Sequence, residues 1–258
     1  MIINIMLFII DILTPPALQA YSEVSKSMTE KETMILITDP RVLQIRIIDN
    51  KEEFIDLKNQ TEIAYGSSPE IPNNQDYTKI RKTVYNKLIE AQKMLPQGLR
   101  FCLYEAHRSL STQKKIFDIH YNQLKDSNPG WDKDRCFNET TKLASPVINR
   151  DGSNNIPPHS TGAAIDIYLI DNAGNIVDMG ICVKDWLSDV TGELSATNSN
   201  EISEEAKKHR KIMSEVLEAV GFVNYPTEYW HWSYGDRYWA YHKQSDNALY
   251  GMVTNSEE

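Results

Sequence analysis

The stretch from Ile156 to Leu169 constrains this chain more than any other. Pro157-Pro158-His159-Ser160-Thr161-Gly162 leads into Ala163–Leu169, where branched apolar residues recur at the two-residue period of a β-strand. Ile165, Ile167 and Leu169 fall on one face, and Ala164, Asp166 and Tyr168 on the other, which predicts a half-buried strand. An aspartate carried into such a strand must be paired or bound to a metal, because a bare desolvated carboxylate is costly. His159 is the nearest candidate partner. Gly162, between the two, frees the backbone to aim both side chains at one point.

A second histidine comes with its own carboxylate in Glu228-Tyr229-Trp230-His231. Two imidazoles and one carboxylate (His159, Asp166, His231) make a three-ligand zinc set that leaves a position open for water. Zinc lowers the pKa of such a water to about 7. A carboxylate beside the metal but not on it, here Glu228, can take the water's proton and pass it to a leaving amine. Arg108 follows a predicted strand, Leu99–Glu105, and can offset the charge of an oxyanion. Trp230 lies between two of these residues and suits the wall of a small apolar substrate site. Each residue alone has a plainer reading: Asp166 as a salt-bridged aspartate, for example with Arg108, Glu228 as a surface carboxylate, and Arg108 as a surface or ion-pair residue. His107, His120, His209 and His242 are read as structural or solvent-exposed. It is the conjunction that points to a metal centre.

These residues carry a resemblance. His159 and Asp166, then Glu228, Trp230 and His231, with Glu105-Ala106-His107-Arg108 upstream, resemble the zinc D-alanyl-D-alanine dipeptidases of the VanX type. That group sits beside the zinc D,D-carboxypeptidases and the hedgehog-like fold. The likeness runs from about Ile80 to Tyr241 and includes Met179-Gly180 and Arg210 through Phe222. It implies one zinc ion per chain, held by His159, Asp166 and His231, with Glu228 as catalytic base and Arg108 as transition-state stabiliser. It also implies a small D,D-dipeptide as substrate. Two departures stand out. Pro157 occupies the place where the family usually has a serine, and Lys184 the place of an acid that binds the substrate amine, with Asp185 next to it. Trp230, Asp185 and Tyr168 are therefore the candidate substrate contacts. Hydrolysis of peptidoglycan stem peptides by a D,D-carboxypeptidase or endopeptidase is the alternative. A non-catalytic zinc-stabilised binding module is a third reading, against which Glu228 and Arg108 both speak.

Around this centre the pattern predicts one α+β domain, a small mostly antiparallel sheet with flanking helices. Short β-rich runs are expected within residues 35–48, and a loop from Asn59 to Gln75. Asp76 is expected to cap a helix over Tyr77–Leu95, where Ile80, Val84, Leu88 and Ala91 keep helical spacing. A second helix is expected over Ser111–Lys125, and irregular chain from Asp126 to Ser153. Asp171-Asn172-Ala173-Gly174 reads as the turn of a hairpin returning over Asn175–Met179. Residues 184–203 read as a mobile surface loop, and Ser203 as the cap of a third helix that Gly221 ends.

Composition adds exclusions. A net charge of -9 argues against nucleic acid, and the charged run Lys207-Lys208-His209-Arg210 reads as a solvated helix face. The three cysteines (Cys102, Cys136, Cys182) form no CxxC pair, so free thiols or a single disulfide are both open. Met1–Leu13 is too short for a membrane span, which needs ~20 apolar residues. Residues 1–20 have the length of a signal peptide, although no Lys or Arg precedes Lys26 and Asp11 interrupts the run. The expectation is a periplasmic or secreted protein, with the cytoplasm as the alternative. Residues 21–34 read as a polar linker and residues 35–258 as the peptidase domain. The oligomeric state has no signature in the sequence.

Overall fold

In the computed structural model, which describes residues 34–67, 69 and 74–252, the Ala163–Leu169 pattern becomes the middle strand of the main sheet. The strands are β1 (Arg46–Ile47), β2 (Phe54–Asp56), β3 (Ala64–Tyr65), β4 (Lys79–Arg81) and β5 (Leu99–Glu105), then β6 (Ala164–Asp171), β7 (Val223–Asn224), β8 (His231–Ser233) and β9 (Asn247–Ala248). The helices are α1 (Pro40–Leu43), α2 (Lys82–Gln92), α3 (Leu110–Ser127), α4 (Lys133–Thr140), α5 (Glu204–Ala219) and α6 (Arg237–His242). All of them belong to the unit Leu36–Glu258. The expected signal segment, residues 1–20, and the linker up to residue 33 lie outside the described residues.

The main sheet has the order β3-β5-β6-β8-β7, antiparallel except for the β3–β5 pair, so the architecture is a single α+β domain with a mostly antiparallel sheet. Strand β6 is buried on both faces, not one; only Asp171 at its end is partly open. Ile165, Ile167 and Leu169 are fully buried in a core with Val84 and Leu88 of α2 and Met213 and Leu217 of α5. Each such side chain contributes about 1.5–3 kcal/mol of transfer free energy. Helix α5 is capped at Ser203, whose hydroxyl accepts from the Ala206 amide, and Gly221 at φ 98° follows its end. Two smaller pairs, β1 with β9 and β2 with β4, complete the fold.

Several expected elements take another form. Helix α2 begins only at Lys82, because Lys79–Arg81 pair with β2 and bury Ile80 by strand contact. Asp76 instead forms an ion pair with Lys79. The β-rich run before β1 holds the single helical turn α1, whose cap Asp39 accepts from the Arg41 amide. The predicted loop Asn59–Gln75 contributes the edge strand β3. Within the segment read as irregular, Asp132 caps α4, and Phe137 packs on Phe117 of α3 with ring centroids 5.4 Å apart. The hairpin return after β6 shrinks to one bridge, Ile170 to Ile176. Residues 184–203 are no loose surface loop. They open with a 3-10 turn over Val183–Ser188, and Asp189, Ser195 and Ser199 are buried. Helix α3 starts at Leu110 under a Ser109 cap. All three cysteines are free thiols. Among the described residues no helix is long and apolar enough to cross a membrane.

Candidate metal centre and active site

Sheet register sets the site. Strands β5, β6 and β8 place Glu105 opposite Asp166 and Asp166 opposite His231, so three polar side chains form one row across the sheet. Regular pairing beyond Leu103–Ile167 would bring Tyr104, not Glu105, against Asp166. A bulge between Leu103 and Glu105 takes up the extra residue, and consecutive residues Tyr104 and Glu105 both reach the same cavity. His159 arrives from outside the sheet, on a 3-10 turn over Pro158–Thr161 that Gly162 ends at φ 72°. The Arg108 amide donates to the His159 carbonyl and ties this turn to the chain beyond β5.

The two imidazoles and the aspartate converge. His159 Nε2 lies 3.1 Å from His231 Nδ1 and 3.3 Å from Asp166 Oδ2, and His231 Nδ1 lies 3.2 Å from Asp166 Oδ1. One ligand atom from each of the three residues lies within 4.8 Å of the others, and all three residues are buried. His159 Nδ1 sits 2.6 Å from the Ala106 carbonyl, which can only accept, so this nitrogen carries the proton. Burial first, and then the charge of Arg108, push the His159 imidazole down to about 4. It is therefore neutral, with the Nε2 lone pair facing the Asp166 carboxylate oxygen at 3.3 Å beside His231 Nδ1. Lone pairs facing one another at such distances repel unless a cation lies among them. The edge of a tetrahedron with zinc bonds of 2.0–2.1 Å is about 3.3 Å. The donor set therefore fits a divalent cation. His231 Nε2, on the far side of its ring, is buried without a hydrogen-bond partner and packs near the Tyr225 ring, with centroids 5.9 Å apart.

Arg108 spans two carboxylates. Its Nε donates to Glu105 Oε2 and its Nη2 to Asp166 Oδ2, each at 2.6 Å. The amide of Asn74 takes the other Glu105 oxygen at 2.8 Å. Burial would raise the Asp166 carboxyl, but the Arg108 guanidinium beside it holds it well below its usual range. Glu105 is shifted up, by burial against the pull of Arg108. This glutamate, which fixes the guanidinium, was not singled out as a functional residue from the sequence. Its signal there is its place in the Glu105-Ala106-His107-Arg108 run, three residues before the arginine it holds.

Glu228 stands just beyond the cluster, Oε2 being 3.7 Å from His231 Nδ1. Burial, and then the negative charge of Asp166, raise its carboxyl well above the ordinary value. Glu228, Asp166, Glu105, Arg108 and Trp230 line a cavity of about 150 Å³. Its remaining wall is apolar and includes Tyr104, Ile116, Leu143 and Trp186. Two candidate contacts are not part of that lining. Tyr168 is two residues along β6 from Asp166, and its hydroxyl accepts from the Cys102 thiol at 3.2 Å, inside the core. Asp185 is exposed on the 3-10 turn, which presents Val183, Trp186 and Leu187 to the cavity instead. Trp186 had no signal in the sequence beyond its type.

Comparison with known proteins comes down on the same region. A family model described as D-ala-D-ala dipeptidase (peptidase M15) matches residues 67–248. A D-alanyl-D-alanine dipeptidase of Synechocystis sp. is 36% identical over 196 residues, covering 67% of this chain and 78% of the relative. A D-alanyl-D-alanine dipeptidase of Escherichia coli is 35% identical over 190 residues, covering 72% of this chain and 82% of the relative. Among solved structures, VanYB in complex with D-alanine-D-alanine aligns with a TM-score of 0.36 at 14% identity, over 79% of this chain and 93% of that one.

Proposed function

This chain belongs to the D-ala-D-ala dipeptidase family of peptidases, and from that premise we propose that it hydrolyses the D-alanyl-D-alanine dipeptide with one zinc ion held by His159, Asp166 and His231. The observation that carries the reading is the set of 3.1–3.3 Å contacts among those three side chains, with Glu228 at 3.7 Å outside them. When bound, zinc supplies a water acidic enough to lose its proton near neutral pH and a Lewis acid for the amide carbonyl.

The chain's own residues do the rest. Glu228, buried and with its carboxyl held well above the ordinary carboxylate range, accepts the proton of the attacking water and delivers it to the departing amine. The Arg108 guanidinium, fixed by Glu105 and Asp166, faces the cavity as a preorganised positive group for the oxyanion. Trp230 and the apolar wall exclude bulk water and favour methyl side chains. The apolar run at Met1–Leu13 supports action outside the cytoplasmic membrane.

Replacing Glu228 by Gln is expected to leave one bound zinc per chain while kcat falls by about 10²–10⁴. Dialysis against a chelator should abolish the activity, and zinc should restore it. Full turnover by Glu228→Gln, or by the metal-free protein, overturns the assignment. A second reading, D,D-carboxypeptidase action on stem peptides, is favoured by the exposure of Asp185 away from the cavity. Free D-alanyl-D-alanine against its N-acyl form separates the two, since a dipeptidase needs the free amine.

A further inference from the structure

We propose that Arg210 is a positioning residue for Glu228, acting through the ring of Tyr229; this rests on the reading of Glu228 as the base. Arg210 is 1% exposed, and no carboxylate among the described residues forms an ion pair with it. It spends its donors on backbone instead. Nε reaches the Met179 carbonyl at 2.9 Å, Nη1 that of Ala196 at 2.6 Å, and Nη2 that of Leu194 at 2.8 Å. The face of the guanidinium lies 4.1 Å from the centroid of the Tyr229 ring. A buried cation held by carbonyls and a π-face is an expensive way to fill a core, since Asp178 and Asp189 act on it only at a distance and no carboxylate among the described residues touches it.

What it joins explains the cost. Met179 belongs to the chain returning from β6, while Leu194 and Ala196 belong to the packed loop before α5. Tyr229 is the residue between Glu228 and Trp230. The Tyr229 amide donates to the Ser195 carbonyl, inside the same loop segment, and its hydroxyl donates to the Ile181 carbonyl. Thus the amide and the hydroxyl of Tyr229 both lead to chain that Arg210 also grips, while its carbonyl accepts from the Trp232 indole at 3.0 Å. Gly180, at φ 87°, leaves no room for a Cβ, which would meet the guanidinium at 3.0 Å and Ile202 at 2.4 Å.

The three histidine and aspartate side chains have further anchors of their own, beyond the His231 amide bond to the Glu228 carbonyl. Asp166 and His231 are fixed by the β6–β8 ladder, and His159 by the turn against Arg108. Loosening Arg210 should therefore move Glu228 and leave the zinc site intact. That separation distinguishes a positioning role from general support of the fold.

The test uses the full-length, zinc-loaded protein with Arg210→Lys, Arg210→Met and Tyr229→Leu. kcat is expected to fall by about tenfold to a hundredfold, with KM for D-alanyl-D-alanine and zinc affinity against a chromophoric chelator within about twofold of the parent. In a Glu228→Gln background the same substitutions should lower the residual rate by less than about twofold, since the group they position is gone. Should Arg210→Met fail to fold, Tyr229→Leu decides, because it keeps the Arg210–carbonyl contacts and removes the stacked ring with its hydroxyl bond to the Ile181 carbonyl. Folded variants with unchanged kcat overturn the proposal. So does a rate loss that tracks zinc affinity, or one that persists undiminished without Glu228. A Glu228→Gln protein of full activity would overturn the reading of the base first, and this one with it.

Discussion

Arg108 and Gly162 show how much depends on single side chains. Paired with Glu105 and Asp166, Arg108 is at once an ion-pair residue and a wall of the cavity. Gly162 has a harder constraint. Its φ is 72°, and a Cβ there would lie 2.3 Å from Phe54 Cε1. Gly162→Ala should cost about 1–3 kcal/mol from backbone strain and overpacking together. Because the residue ends the turn that presents His159, zinc affinity should fall with it. Urea unfolding and chelator competition measure the two effects. An added Phe54→Ala should return part of the affinity by clearing the clash, while the φ penalty stays.

Among the elements, those with a strong local signal were legible in the sequence and those made by partners were not. Strand β5 runs over Leu99–Glu105 as its apolar run predicts, and α5 keeps its Ser203 cap. The convergence of His159, Asp166 and His231, with Glu228 and Arg108 beside them, was legible because each sits at a marked place: a strand, a turn, a strand end. Helix α2 starts late because β4 is created by its partner strand, which no local period reveals. Helix α4 is polar and buries only Cys136 and Thr140, so periodicity had nothing to register. Yet it braces the site. The Tyr225 hydroxyl donates to the Thr141 carbonyl and the Thr227 hydroxyl to that of Lys142, tying the turn before Glu228 to the end of α4. Asp132→Ala removes the cap of α4 and should cost about 1 kcal/mol. Amide exchange should quicken first over residues 133–141.

For the whole molecule, acid is the condition that separates folded from unfolded chain. Burial pushes the imidazoles of His107 and His120 down to about 4. Between there and an unfolded value near 6.5, the unfolded chain binds protons that the folded one refuses. Stability is thus complete above about pH 6.5 and declines as pH falls towards 4, by up to about 3 kcal/mol for each histidine. His120, packed edge-on to Trp186 with centroids 5.2 Å apart, can be replaced by Phe. Unfolding free energies at pH 7 and pH 4.5 should then differ less in His120→Phe than in the parent; an equal difference would show that this ring is not refusing a proton. The order in which the fold is closed follows from another long-range feature. Strand β1 pairs with β9, and the Arg81 guanidinium donates both to the Thr161 carbonyl, behind His159, and to that of Gly251. A chain emerging from the ribosome therefore cannot finish the clasp behind the turn that carries His159 until Gly251 has been made, so that turn waits, unbraced, long after its own residues have left the tunnel.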